Sequence, residues 1–197
     1  MEDFLDINQD WFLKKYIQFT PKRYWTTKTA LSWFLQNNGT NIVETGTTRM
    51  KEDWGAGQST LLFGDFCNKY KRYLWTVDID ANALVTAKEI TGAYEKNITY
   101  VQDDSLHFLL NFKQPVDLLY LDSRDCDPRD DFDNRDSQQF QKQELEAIYD
   151  QLTLRACVLL DDNYFKNGGK TRLAKEYIKS KGWLCLMDYY QSLWIRG

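Results

Sequence analysis

Five short apolar segments in this chain each run into an acidic residue. Ile42-Val43 reaches Glu44, Tyr73–Val77 reaches Asp78, Ile98–Val101 leads to Asp103-Asp104, Val116–Leu121 reaches Asp122, and Cys157–Leu160 reaches Asp161-Asp162. Their β-branched and aromatic residues favour strands. Between and after them lie segments with helical spacing: Ser59–Tyr70, Asn82–Ala93, Leu106–Phe112, Ser137–Leu152 and Thr171–Lys181. Regular alternation of strand and helix predicts a parallel sheet covered on both faces. Two further strands, Trp183–Tyr189 and Ser192–Arg196, are close enough to form an antiparallel hairpin. The expected fold is α/β, a three-layer, Rossmann-like arrangement of seven mostly parallel strands with that hairpin at its end. Ligands of such sheets lie outside the carboxyl ends of the strands. Unpaired carboxylates are costly to bury, so acids recurring along one rim point to a site that needs oxygen acceptors.

The first strand opens onto a glycine-containing loop. Glu44-Thr45-Gly46 is followed by a polar stretch reaching Gly55-Ala56-Gly57, with Ser59 and Thr60 ahead of the apolar run Leu61–Phe63. This reads as strand, loop and helix N-terminus, where unpaired backbone N–H groups can meet a ligand. It is neither a G-x-G-x-x-G fingerprint nor a P-loop. The acid at the strand end disfavours a pyrophosphate and suits a ligand carrying an amine or sulfonium. The loop Thr47–Ala56 is long, and either folds over a ligand or is a solvated excursion.

Composition narrows the partners. A net charge of −4 offers no general attraction for nucleic acid, and none is expected as a partner. Apolar runs are far shorter than a membrane span, and the start Met1-Glu-Asp-Phe lacks signal-peptide character, so no membrane role and a cytoplasmic location are expected. One histidine, His107, and four scattered cysteines make a zinc site improbable, leaving hard cations on oxygen ligands as the metal option. Residues 1–39 are expected to form an N-terminal helical segment in two pieces broken near Pro21, packed on a domain spanning 40–197.

Taken together, Val43–Gly46, Val77–Asp80, Asp103–Ser105, Leu119–Asp122 and Leu159–Asn163 resemble the successive motifs of class I S-adenosylmethionine-dependent methyltransferases. The subgroup they are most similar to is the small metal-dependent O-methyltransferases exemplified by catechol O-methyltransferase. The resemblance implies S-adenosylmethionine as cofactor. Glu44, Gly46 and Thr47 would lie along its methionine part, with Gly57 and Ser59 near the carboxylate. Asp78 would accept the ribose hydroxyls and Ile79 would pack on the adenine. Asp104, with Ser105 beside it, would accept from the adenine amino group; both residues equally suit a helix cap. Asp122, at the end of strand four, would border the cofactor and, with Asp162 and Asn163, would ligate Mg²⁺ or a similar ion; Asp162-Asn163 also suits an Asx turn.

One departure bears on mechanism. The metal-dependent relatives carry a Lys three residues beyond the metal-binding Asp, and this chain has Asp125 there. Asp125 is then the candidate base, Asp122 the residue that would hold the reacting centre, and Arg124 the candidate for orienting the acceptor. The expected reaction is methyl transfer to an oxygen of a small molecule or sugar. The alternatives are a methyltransferase of another acceptor class and a cofactor-binding domain without turnover. The oligomeric state is not indicated.

Overall fold

A computed structural model of the chain describes residues 15–17, 20–55, 58–126 and 131–196. Most of the first expected helix, including Phe4, Leu5, Trp11 and Phe12, lies outside these residues, as does Gly57. Seven strands form one sheet: β1 (Asn41–Thr45), β2 (Tyr73–Asp78), β3 (Ile98–Gln102), β4 (Val116–Leu121), β5 (Leu152–Leu160), β6 (Trp183–Asp188) and β7 (Ser192–Arg196). Their spatial order is β3-β2-β1-β4-β5-β7-β6. Strands β1 to β5 pair in parallel, and β7 runs antiparallel to both β5 and β6.

Six α-helices are described: α1 (Tyr24–Gln36), α2 (Ser59–Tyr70), α3 (Ala81–Thr91), α4 (Ser105–Asn111), α5 (Asp131–Ile148) and α6 (Arg172–Ser180). The strands bury alternate residues on opposite faces. Ile42, Leu118, Tyr120 and Leu159 pack with Ala30, Leu31 and Phe34 of α1 and Leu62, Phe63 and Phe66 of α2. Val43, Leu119, Leu121, Val158 and Leu160 pack with Leu109 of α4, Leu145 and Ile148 of α5, and Ala174 and Ile178 of α6. The period-two pattern of each strand thus divides its side chains between two cores, and the three layers follow.

Two boundaries differ from the sequence reading by more than a residue or two. Strand β5 begins at Leu152 rather than Cys157, and a short 3-10 turn, Tyr149–Gln151, separates it from α5. Leu152 is buried opposite Val116, whereas Thr153–Arg155 bulge outward where the β4–β5 register shifts. An irregular strand start of this kind breaks the alternation that marks a strand in sequence. Helix α5 begins at Asp131, six residues before the expected Ser137.

The topology fixes where a ligand can sit. Strand order reverses between β1 and β4, so the connections leaving their carboxyl ends run to opposite sides and leave a crevice above the paired strand ends. Gly46 leaves β1 at φ +82°, and a Cβ there would come 2.4 Å from the Asp122 carbonyl oxygen at the end of β4. Only glycine lets the two strand ends approach this closely.

Candidate functional site

The crevice continues as two adjoining cavities of about 220 and 210 Å³ that share Gly46, Asp78, Ile79 and Ser123. One extends past Asp104 and Ser105 to Phe140; the other passes Thr47, Arg49, Ser59 and Asp122. Glu44 is buried in β1, two residues before Gly46. Eight of the nine described residues of the expected cofactor set line these two cavities, Glu44 lines neither, and Gly57 falls outside the described residues.

Glu44 is fully buried within β1. Its Oε2 accepts hydrogen bonds from the hydroxyls of Thr60 (2.8 Å) and Thr76 (2.7 Å). Its Oε1 is buried and, among the described residues, has no donor in hydrogen-bond geometry, with the Ser59 hydroxyl near the carboxyl. Burial pushes this carboxyl up to about 7, against the opposing pull of the Ser59, Thr76 and Thr60 hydroxyls. A buried acceptor oxygen left unpaired is costly unless a donor arrives.

Asp78 closes β2. Its Oδ2 accepts from the Thr47 backbone N–H at 2.9 Å and its Oδ1 from the Asp80 N–H at 2.9 Å. Each oxygen keeps a lone pair for a further donor, so the carboxylate can still receive a vicinal diol. Ile79 follows, 70% exposed, an unusual position for a large apolar side chain. Phe140, reached only through helix α5, lines the same cavity. The Arg124 guanidinium lies 5.0 Å from the centre of the Phe140 ring and pairs with Asp136 at 3.0 Å. Two apolar side chains in one cavity suit a flat heterocycle. Arg124 is thus built into this end of the cleft, beside Asp104 and Ser105. Asp104 also caps α4, accepting from the His107 N–H at 3.0 Å, and the two uses are compatible.

The long loop after Gly46 is anchored at several points, although Arg49 to Glu52 are exposed. The Thr48 N–H donates to Thr60 Oγ1 at 2.9 Å, Gln58 donates to the Met50 carbonyl at 2.6 Å, and Arg23 donates to the Gly55 carbonyl at 3.0 Å. Thr47 and Thr48 are buried. Arg49 reaches across the cleft to Asp125 in a bidentate pair of 2.7 and 2.9 Å. That contact holds the Asp125 carboxyl below its ordinary range. A carboxylate so stabilised is a weak base, which speaks against the catalytic role expected for it.

Acids at the ends of β4 and β5 do converge, but with a different membership from the expected set. Asp122, Asp161 and Asp162 each bring an oxygen within 4.8 Å of the others. Asn163 turns away: its amide donates to Asp188 (2.7 Å) and the Tyr189 carbonyl (2.6 Å), and its oxygen accepts from Thr171 (2.8 Å) and Lys175 (3.0 Å). Asp162, at φ +55°, instead meets Lys170 and the Tyr190 hydroxyl.

The carboxylates meet two basic side chains that the motifs did not reveal. Lys170, 1% exposed, contacts Asp122 Oδ1 directly and lies 3.2 Å from Asp162 Oδ2. The Nε of Arg23 donates to both oxygens of Asp161, at 3.1 and 2.9 Å. The Tyr120 hydroxyl lies 2.9 Å from Asp161 and 3.1 Å from Asp122, and the Tyr190 hydroxyl donates to Asp162 Oδ1 at 2.8 Å. Burial opposes charge on Lys170, yet Asp122, Asp162 and Asp161 outweigh it and hold the ammonium above its ordinary range. Burial and the neighbouring Asp161 push Asp122 well up, whereas Arg23 outweighs burial at Asp161 and draws it down. Every oxygen of the cluster has a cationic or hydroxyl neighbour. A hard divalent ion needs several free oxygen ligands, and this donor set does not fit one while Lys170 is in place.

No sequence-family description and no curated protein matches the chain. Solved structures do. The SAH-bound methyltransferase PaMTH1 of Podospora anserina superposes with a TM-score of 0.62 over 100% of this chain and 88% of its own, at 14% identity. CalS11, a TDP-rhamnose 3'-O-methyltransferase of calicheamicin biosynthesis, gives 0.60 over 96% and 87%, at 16% identity. The O-methyltransferase NovP gives 0.58 over 91% and 79%, at 14% identity. The fold is that of the class I S-adenosylmethionine-dependent methyltransferases. Among the described residues no helix is long and apolar enough to cross a membrane.

Proposed function

We propose that this chain binds S-adenosylmethionine in the cleft above Gly46 and transfers its methyl group to an oxygen of a small-molecule or sugar acceptor. The observation that carries the reading is a pair of acids on adjoining strand ends: Asp78 presents two acceptor oxygens to both cavities, and Glu44, buried two residues before Gly46, has one oxygen with no donor at hydrogen-bond distance among the described residues. A cofactor with a ribose diol and an ammonium supplies both with donors. Ile79 and Phe140 offer the walls for the base, and Asp104 an acceptor for its amino group. The backbone N–H groups at the start of α2, near Ser59, suit the cofactor's carboxylate.

When bound, S-adenosylmethionine supplies a sulfonium methyl open to in-line displacement. The protein's contribution is then alignment, which alone supplies much of the rate in such a transfer. Thr47 and Asp78, joined by their 2.9 Å hydrogen bond, hold the cleft's two walls at a fixed spacing. Arg49 and Asp125 stand beside the cofactor cleft where an acceptor would enter. The oxygen acceptor class is supported by the O-methyltransferases among the structural neighbours, CalS11 and NovP. A cofactor-binding domain without turnover is the second reading, favoured by the engagement of Asp125 with Arg49.

Calorimetry with S-adenosylmethionine on wild type and Asp78→Ala tests the first step. Wild type is expected to bind, with affinity falling about 10–100-fold in the variant, the loss of one or two charge-assisted hydrogen bonds. Wild type that takes up no cofactor, or a variant that binds as tightly, ends the proposal. Radiolabelled transfer to a panel of nucleotide sugars and phenols then separates the catalytic reading from the binding one.

A further inference from the structure

The acidic cluster at the ends of β4 and β5 sits where a fold of this type could place a divalent cation, yet its own lysine occupies it. We propose that Lys170 is a built-in cation, a positioning residue that takes over the task of a metal ion in organising Asp122, which lines the cleft, and its neighbour Asp162.

The backbone shows how the lysine is delivered. It lies in the segment Lys166–Thr171, in which Asn167, Gly168 and Gly169 adopt φ values of +57°, +83° and +55°. Gly169 is pressed against the preceding turn: a Cβ would lie 1.7 Å from the Asp162 carbonyl oxygen. No other residue is tolerated there without moving the chain. Gln138 of α5 donates to the Gly169 carbonyl at 2.7 Å, tying the segment to the helix. The result directs Lys170 into the interior, where it bridges two of the three carboxylates while Arg23 covers the third. Two fixed positive groups stand among the three acids and engage the oxygens that a metal would need. Without Lys170, oxygens of Asp122 and Asp162 would be released within a set close enough together to ligate a divalent ion.

An ammonium bonded to both acids also fixes their geometry without a metal cofactor. Asp122 lines the cavity beside Gly46 and Thr47, so its orientation sets the floor on which the reactants lie. Lys170 itself does not line that cavity and acts through Asp122.

Titration of the full chain with Mn²⁺, followed by calorimetry and by the electron paramagnetic resonance of free Mn²⁺, tests this. Wild type is expected to show no saturable binding up to millimolar Mn²⁺, and EDTA is expected to leave its S-adenosylmethionine affinity unchanged. Lys170→Met, which keeps the stem and removes the charge, is expected to gain Mn²⁺ binding at least tenfold tighter than wild type. Mn²⁺ should raise the melting temperature of the variant and not that of wild type, whereas Lys170→Arg should remain unresponsive. Saturable Mn²⁺ binding by wild type overturns the proposal, as does a folded Lys170→Met with no gain. If Lys170→Met does not fold, the wild-type titration decides. The metal measurements need no methyl transfer, so a wild type that fails to bind S-adenosylmethionine would end the functional reading and leave this result legible.

Discussion

Gly46 and Asp122 meet at the point where strand order reverses: the space for a Cβ on Gly46 is already taken by the Asp122 carbonyl oxygen, 2.4 Å away. The contact joins the end of β1 to the end of β4 and sets the width of the cleft. Gly46→Ala must distort a left-handed turn (φ +82°) and push β4 outward. A loss of roughly 2–3 kcal/mol in unfolding free energy is expected, together with weaker cofactor binding. Chemical denaturation and calorimetry on the same preparation check both; unchanged stability would show that the strand ends can part freely.

Glu44 makes stability depend on pH. Its carboxyl rises from 4.5 to about 7 on folding. Below pH 4.5 it is protonated folded or unfolded and contributes nothing; as pH rises through 7 the folded state must hold a buried anion that the unfolded state solvates freely. The fold is therefore penalised at high pH, by about 3 kcal/mol in full. Glu44→Gln lacks this slope. The difference in unfolding free energy between variant and wild type is expected to grow in the variant's favour from pH 5 to pH 8, while its cofactor affinity falls. Parallel slopes in urea melts across that range would remove Glu44 from the account.

Asp104 has two duties that substitution can separate. Asp104→Ala removes the cap of α4 and costs about 1 kcal/mol of stability. Asp104→Asn keeps a capping oxygen yet supplies a weaker acceptor. It is expected to melt like wild type and to bind S-adenosylmethionine several-fold more weakly. Equal affinity for Asn and wild type would assign Asp104 to capping alone.

Asp125 is exposed and paired with Arg49. An exposed pair contributes little to stability, so Asp125→Asn is expected to shift the melting temperature by no more than a degree or two. Turnover is expected to change less than tenfold, because a carboxylate held below its ordinary range by Arg49 is a poor proton acceptor. A loss of a hundredfold or more in kcat with cofactor affinity intact would restore it as the base.

The strands, their parallel order and the acids at their ends were legible because each is a local property. Alternation of side chains sets which face is buried, and a residue at a strand end is at the rim whatever its neighbours are. Glu44, Gly46, Asp78 and Asp104 belong to this class, and they lie at the ends of three successive strands, β1, β2 and β3. Phe140, Arg23 and Lys170 do not. Phe140 sits 36 residues beyond Asp104 in sequence, Arg23 meets Asp161 across 138 positions, and Lys170 meets Asp122 across 48. Nothing in the residues flanking them signals the encounter, although Gly168-Gly169 before Lys170 marks a backbone able to turn sharply inward.

The fate of the acid cluster shows the same division. The sequence established that Asp122, Asp162 and Asn163 end neighbouring strands, and it therefore established a rim of oxygen acceptors. Side-chain direction is not a property of position along a strand once the chain has left it. Asp162, at φ +55°, meets Lys170 and the Tyr190 hydroxyl, the Asn163 amide binds Asp188 and Tyr189, and Asp161 enters in place of Asn163. What fills the space between the acids was settled by packing: a lysine brought in by a glycine turn supplies the positive charge, because a buried carboxylate cluster must be neutralised by whichever cation the fold places nearest.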